Sequence, residues 1–118
     1  MDLRMGVLVL VGLFGAAEAL AAEPDPPPTV VLTLKDHRFI PDQVSVPAGR
    51  TVRIELINQD AATEEFDSDD LRVERDVTPH DRTSFTVGPL KPGSYSFMGE
   101  LHADTASGTL TAVERQRP

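Results

Sequence analysis

Two short stretches of the sequence concentrate side chains that bind metal ions. AATEEFDSDD contains Glu65 and Asp67 two residues apart, and GELHADTAS contains Glu100 and His102 at the same spacing. In an extended chain, residues two apart face the same side, so each pair presents its two ligands together, with Phe66 turned the other way toward the core. Carboxylates and imidazoles without sulfur suit iron, manganese, copper(II) or zinc rather than copper(I). One hypothesis is therefore a metal site built from the two stretches.

Each stretch also has a simpler interpretation. An acidic run is typical of a solvated loop, and a single histidine is more often a polar surface residue than a ligand. The same holds for His37 in KDHRF, and His80 lies in a predicted exposed turn where we assign it no role. Spacing alone leaves the metal site and the plain surface loop both open.

The elements that must position these side chains are β-strands. Apolar residues alternate with polar ones in six or so short segments, which is the two-residue period of a half-buried strand. The inward-facing positions are Val30, Leu32 and Leu34; Val44 and Val46; Val52, Ile54 and Leu56; Phe85 and Val87; Tyr95 and Phe97; and Leu110 and Ala112. Turns rich in proline and glycine separate the segments, and half-apolar sheets must cover each other, so the pattern predicts an all-β sandwich. The two ligand-rich stretches, residues 61–70 and 99–107, lack the alternation and are predicted to be loops.

The N-terminus has the pattern of a secretory signal peptide. MDLRM carries one arginine, and GVLVLVGLFGAA is an apolar run too short for a membrane span of roughly 20 residues. Ala19 and Ala21 stand before a cleavage position at Ala22, which predicts a signal peptide over residues 1–21 and an exported protein with no membrane insertion after cleavage. The alternative is a retained anchor, which Glu18 disfavours because it interrupts the apolar run. A Pro-rich lead-in follows over residues 22–28.

Composition limits the chemistry. The 118 residues include no cysteine, which excludes disulfides, thiolate metal ligands, iron–sulfur clusters and cysteine nucleophiles. The formal net charge of −8 disfavours nucleic acid and anionic lipid as partners and favours cations. The sequence has no Gly-x-Ser-x-Gly, phosphate-loop, His-Glu-x-x-His or dinucleotide motif, so we expect a single small domain that is not an enzyme.

The order of motifs resembles that of cupredoxins. FIPDQVSVPAGRTVRIELINQD and VGPLKPGSYSFMGELHADTASGTLTAVE contain a Phe-x-Pro strand, a Pro-x-Gly turn, a strand ending in Asn, a Pro-Gly-x-Tyr-x-Phe strand and a ligand loop ending in Gly-x-Leu. The resemblance covers residues 29–114 and implies a cupredoxin-like Greek-key β-sandwich. EEFDSDDL and YSFMGELHADTASGTL together are similar to the EfeO-type cupredoxin-like domains, exported proteins often found with bacterial high-affinity iron permeases.

The departures from the cupredoxin pattern bear on function. In blue-copper members, the residue four after the motif tyrosine is the copper-binding cysteine, followed by a histidine and a methionine. Here Gly99 stands at the cysteine position, His102 is the histidine, and the methionine position falls near Ser107. The other cupredoxin histidine falls at Glu64 or Glu65. Without a thiolate there is no blue-copper centre, so electron transfer of that type is excluded.

The resemblance implies a periplasmic protein that binds iron, with or without copper, and presents it to a membrane iron permease or a periplasmic uptake partner. It also places His37 near His102, because in cupredoxins the segment before the Phe-x-Pro strand reaches the metal-binding end of the sandwich. The resulting hypothesis is a site of His37, Glu65, Glu100 and His102, with Asp67 as an outer or alternate ligand.

Two other functions stay open. A cupredoxin-like sandwich that has lost its metal would be an interaction module docking on a permease or a periplasmic partner, and the missing cysteine favours this hypothesis. A redox-active copper oxidase-like site that assists iron uptake would need an open coordination position, which the sequence does not indicate.

Overall fold

The structure is a computed structural model that describes residues 25–114. Within these residues the chain forms nine β-strands and a short 3₁₀ helix, Glu100–His102. The strands are β1 (Thr29–Lys35), β2 (Arg38–Ile40), β3 (Gln43–Pro47), β4 (Val52–Asn58), β5 (Glu64–Ser68), β6 (Val73–Val77), β7 (Arg82–Val87), β8 (Gly93–Gly99) and β9 (Ser107–Val113). No helix in this part of the chain is both long enough and apolar enough to span a bilayer.

The strands form two sheets that pack face to face. One sheet has four strands in the order β2-β1-β4-β7, and the other has five in the order β3-β9-β8-β5-β6. The pairs β1–β4 and β3–β9 are parallel, whereas the remaining pairs are antiparallel. In each parallel pair, the chain passes through the other sheet between the two paired strands. The predicted all-β sandwich is confirmed.

The core lies between the sheets and follows from the alternation of side chains along each strand. In β4, for example, Val52, Ile54 and Leu56 are fully buried, and the residues between them face outward. Removing such side chains from water stabilises the fold by about 25 cal/mol per Å² of apolar surface. Phe66 stands at the centre of this core, with its ring centroid 5.2 Å from those of Phe85 and Phe97.

The alternation pattern does not predict three of the strands, β2, β5 and β6. The loop predicted over residues 61–70 is wrong for its central part, which is β5 and lies between β8 and β6. The inward-facing residues of β5 include Glu64 and Ser68, which are polar yet buried, so no apolar period appears in the sequence. Strand β6 is at the sheet edge and mostly exposed, so it needs few apolar residues.

The loop predicted over residues 99–107 is confirmed between Glu100 and Ala106, where the 3₁₀ helix and a turn join β8 to β9. The predicted signal peptide, residues 1–21, lies outside the described residues, as does the start of the lead-in over residues 22–28. The described part of that lead-in, residues 25–28, has no regular secondary structure.

Candidate metal centre

Glu64 is a buried carboxylate at the beginning of β5, with 3% of its surface exposed. Its Oε1 accepts hydrogen bonds from the backbone N–H of Glu65 at 3.0 Å and of Leu101 at 2.9 Å. Its Oε2 lies 2.6 Å from Nδ1 of His102. Buried charge is tolerated only when it is paired and hydrogen-bonded, and Glu64 meets that requirement at both oxygens. The carboxylate therefore ties β5 to the 3₁₀ helix.

His37 lies against His102 from the other sheet. The two imidazole rings are stacked, with centroids 3.8 Å apart and planes 11° from parallel. His37 occupies the turn between β1 and β2 with a φ of 58°, and its carbonyl accepts a hydrogen bond from Thr105 Oγ1 at 2.6 Å. The predicted approach of His37 to His102 is thus present in the structure, because the turn of one sheet and the β8–β9 connection of the other meet at the same end.

A second carboxylate, Asp60, fixes the turn that carries His37. It accepts the backbone N–H groups of Asp36 at 2.8 Å and His37 at 3.0 Å, and its Oδ2 lies 3.6 Å from His37 Nδ1. Burial raises the pKa of Asp60, but these two hydrogen bonds and the nearby histidines outweigh it, so the pKa lies below its ordinary value. The side chain is therefore an anion beside both imidazoles at neutral pH.

Asn58, at the end of β4, holds the loop that contains Asp60. Its side-chain amide donates to the carbonyls of Ala62, Val77 and Thr78, and its Oδ1 accepts the N–H of Asp60 at 2.9 Å. The residue itself is 1% exposed, and its contact with the Val77 carbonyl is buried, while the other three are partly buried. Asn58 joins β4, the loop before β5 and the end of β6.

The three other predicted ligands form a separate group on the outer face of the five-stranded sheet. One carboxylate oxygen from each of Glu65, Asp67 and Glu100 lies within 4.8 Å of the other two. Hydrogen bonding with Glu65, repulsion from that carboxyl and the same two effects of Asp67 raise the pKa of Glu100. As predicted, Glu65 and Asp67 share one face of the strand, while Phe66 points into the core.

The five predicted ligands are therefore divided between two places. His37 and His102 stack at the end of the sandwich, whereas Glu65, Asp67 and Glu100 gather on a sheet face. Among the described residues, no hydrogen bond or ion pair joins a member of one group to a member of the other.

The sequence-based hypothesis omits Asp60 and leaves open whether Glu64 or Glu65 takes the position of the other cupredoxin histidine. In the structure the phase of β5 turns Glu64 inward, beside His102, and Glu65 outward. A signal for this phase exists in the sequence, since Phe66 must face the core and Glu64 is two residues before it.

A blue-copper centre does not fit this end of the sandwich. A Cβ added at Gly99 would lie 2.6 Å from Cδ of Glu64 and 2.8 Å from Cβ of Ala106, so the glutamate occupies the space that a cysteine side chain would need. Imidazole nitrogen with carboxylate oxygen, by contrast, is a donor set that suits copper(II), iron or zinc.

Comparison with known proteins agrees with this architecture. Residues 6–112 match the family model described as a cupredoxin-like domain. An uncharacterized protein of Rickettsia prowazekii (strain Madrid E) is 44% identical over 81 residues, which cover 69% of this chain. The alignment spans 65% of that relative, less than two thirds of its length.

Solved structures share the fold at low sequence identity. Auracyanin A, a blue copper protein from Chloroflexus aurantiacus, is 15% identical, with a TM-score of 0.64 over 75% of this chain and 100% of its own. The metal-binding domain of the Cu(I)-exporting P-type ATPase CopA of Streptococcus pneumoniae D39 is 12% identical, with a TM-score of 0.68 over 80% of this chain and 93% of its own. The predicted cupredoxin-like sandwich is confirmed by these matches.

Proposed function

Since this chain belongs to the family of cupredoxin-like domains, whose fold it shares with copper-binding proteins, we propose that it binds a transition-metal ion, copper(II) or iron, at His37 and His102. The observation that supports this function is the stacking of the two imidazoles at 3.8 Å between two carboxylates, Glu64 and Asp60. Neutral imidazole is the commonest protein ligand for such ions.

The charges around the pair favour a cation. Asp60 and Glu64 supply negative charge beside the two rings, and the net charge of −8 gives the whole chain an attractive potential for metal ions. Bound metal would supply Lewis acidity or one-electron chemistry, while the protein would hold the ion and leave part of its coordination to a partner. Both rings are accessible for such an exchange, since 45% of the His37 side chain and 27% of the His102 side chain are exposed.

The cellular role that we propose is metal capture and delivery after export, as an accessory to bacterial high-affinity iron uptake. The secretory pattern of residues 1–21 and the similarity to EfeO-type domains support export and iron delivery. A membrane iron permease or a periplasmic uptake protein would then receive the ion.

Titration of the protein with copper(II), iron(II) and iron(III), by calorimetry and thermal shift together, tests metal binding. A ligand that binds only the folded state must raise its stability. We expect one ion per chain, with copper(II) bound most tightly by the usual order of affinities. His37→Asn and His102→Ala should each weaken binding by about 10-fold or more, which is 1.4 kcal/mol.

His80→Asn is the matched control for His37→Asn. Both histidines have positive φ, 58° and 57°, and asparagine tolerates this backbone conformation, so neither change strains its turn. His80 is exposed in another turn, and its replacement should leave metal affinity unchanged. If none of the three ions binds, the metal function is contradicted and the interaction module is favoured. If His37→Asn and His80→Asn lose the same metal affinity, the assignment of the site is contradicted.

The outer carboxylate group is tested in the same titrations. Because Glu65, Asp67 and Glu100 offer only oxygen, they suit hard cations and lack the nitrogen donors that hold copper(II) tightly. The double variant Glu65→Gln/Glu100→Gln should therefore bind copper(II) like the original protein. A loss equal to that of His102→Ala would place the ion on the sheet face instead.

Iron delivery requires a separate experiment in cells. A strain that lacks the protein should accumulate less iron under iron limitation, and the original gene should restore uptake where the His37→Asn/His102→Ala variant does not. Full rescue by that variant, exported at equal level, would contradict metal-dependent delivery.

A further inference from the structure

His102 has two ring nitrogens, and the structure distinguishes them. Nδ1 lies 2.6 Å from Oε2 of Glu64, which is 3% exposed, whereas Nε2 has no hydrogen-bond partner among the described residues. In the same part of the chain, no buried side-chain nitrogen or oxygen lacks a partner. Nε2 therefore reaches solvent, and it is the nitrogen that an incoming ion can approach.

We propose that Glu64 is a positioning residue that holds the Nδ1 hydrogen of His102, so that the metal-binding atom of this histidine is Nε2. The inference rests on the proposed metal function and specifies its geometry. His102 would then hold an ion through its solvent-reaching nitrogen, with Glu64 orienting the ring from behind.

The hydrogen-bond pattern at Glu64 determines which nitrogen carries the hydrogen. Oε1 already accepts two backbone N–H groups, from Glu65 and Leu101, which fixes the plane and direction of the carboxylate. Oε2 then faces Nδ1, and since a carboxylate only accepts hydrogen bonds, Nδ1 must donate. A neutral imidazole that donates at Nδ1 has its lone pair at Nε2.

On the interior side of His102, the Glu64 carboxylate fills the space beside Gly99. The Glu64 carboxyl lies so close to Gly99 that an added Cβ would come within 2.6 Å of its Cδ. Gly99 is itself tied by its N–H to the carbonyl of Ala106 at 2.8 Å, so the backbone around the position is held in place. A carboxylate that orients a metal-bound histidine from behind is a common arrangement, and its loss typically lowers metal affinity about 10–100-fold.

His37 has a related arrangement. Its Nδ1 faces Asp60 Oδ2 at 3.6 Å, a weaker contact than the one at His102, and its Nε2 also has no partner within residues 25–114. Both rings thus direct Nδ1 toward a carboxylate. Nε2 is therefore the free ring nitrogen of His37 as well.

Nitrogen NMR of the ¹⁵N-labelled protein tests the proposal with zinc(II), which is diamagnetic, as the probe. At about pH 8, above the ordinary histidine pKa of about 6.5, two-bond ¹H–¹⁵N spectra identify the nitrogen that carries hydrogen. We expect hydrogen on Nδ1 of His102 before and after zinc is added, and a zinc-induced shift at Nε2 of His102 and of His37. Loss of the Nδ1 hydrogen of His102 when zinc binds would overturn the proposal but leave the metal function intact. No zinc-induced shift at any histidine nitrogen would overturn the proposal, whereas the titrations with copper(II) and iron test the metal function separately.

Glu64→Gln provides a second, independent readout. The side-chain oxygen of glutamine would keep accepting from Leu101 and Glu65, so its NH₂ would face Nδ1 and donate to it. The His102 hydrogen would then move to Nε2, and zinc affinity should fall about 10–100-fold. Glu114→Gln is the control, with the same chemical change on an exposed residue after β9, and should change neither tautomer nor affinity. An unchanged His102 tautomer in a folded Glu64→Gln protein would contradict the positioning role.

Discussion

The Glu64 carboxyl lies against Gly99 and leaves no room for a side chain there. The backbone at Gly99 is extended, with φ −92° and ψ 106°, a conformation that alanine adopts freely, yet an added Cβ would clash with the Glu64 carboxyl and with Cβ of Ala106. We predict that Gly99→Ala lowers the free energy of unfolding by about 1–3 kcal/mol through overpacking. The same change in a Glu64→Ala background should cost less, although the contact with Cβ of Ala106 remains, and urea denaturation of the four proteins of the cycle would measure the difference. Equal costs in both backgrounds would refute this steric coupling.

The buried side chain of Asn58 makes four hydrogen bonds that join three segments beside the candidate site. Asn58→Ala would leave three carbonyls and the N–H of Asp60 without their partner, so we predict a loss of about 2–4 kcal/mol in the free energy of unfolding. The exposed neighbour Gln59 is the control, and Gln59→Ala should change stability by about 0.5 kcal/mol or less. Chemical denaturation measures the free energy of unfolding of both variants. A similar small loss at both positions would mean that the loop between β4 and β5 keeps its structure without Asn58.

At the scale of elements, the outer face of β5 and the 3₁₀ helix brings like charges together. The pKa of Glu100 is raised above its ordinary value of 4.5 by Glu65 and Asp67. A group with a raised folded-state pKa contributes stability that is present below its ordinary pKa and is lost as pH rises through the folded-state pKa. Ionised Glu100 thus opposes folding at neutral pH.

We therefore predict that Glu100→Gln raises the Tm at about pH 7, and that the gain disappears below about pH 4, where carboxyls are protonated in both states. Thermal melts across this range measure the difference. Glu114→Gln, on an exposed residue after β9, should produce no comparable pH-dependent gain. A constant difference between the Glu100→Gln and original proteins at all pH values would argue against charge repulsion as the cause.

At the scale of the whole molecule, Phe66 joins the two sheets. Its ring contacts Phe39 and Phe85 of the four-stranded sheet and Phe97 of its own sheet. Phe66→Ala should cost about 3–5 kcal/mol, a large part of the 5–15 kcal/mol that stabilises a typical domain, and Phe66→Leu about 1–2 kcal/mol. Val113→Ala, at a half-exposed position, should cost less than about 0.5 kcal/mol. Equal urea-denaturation midpoints for Phe66→Leu and Phe66→Ala would indicate that neighbouring side chains repack into the cavity.

Local sequence is sufficient to predict the sandwich and six of its strands. The period-2 alternation of Val, Ile, Leu and Phe gives each sheet one apolar face, and two such faces leave water when they cover each other. Composition supplies the ligand types, because the sequence contains no cysteine but does contain His37 and His102. Those properties depend on residues near one another in the chain.

Which ligands meet depends on how distant segments pack. His37 and His102 are far apart in the sequence and stack only because the β1–β2 turn and the β8–β9 connection share one end of the sandwich. The phase of β5 makes Glu64 the partner of His102 and places Glu65 in the outer carboxylate group. The sequence does not reveal this strand, because some of its buried residues are polar. Contacts between distant segments depend on strand order and register, and these are set by packing of the whole core rather than by local sequence.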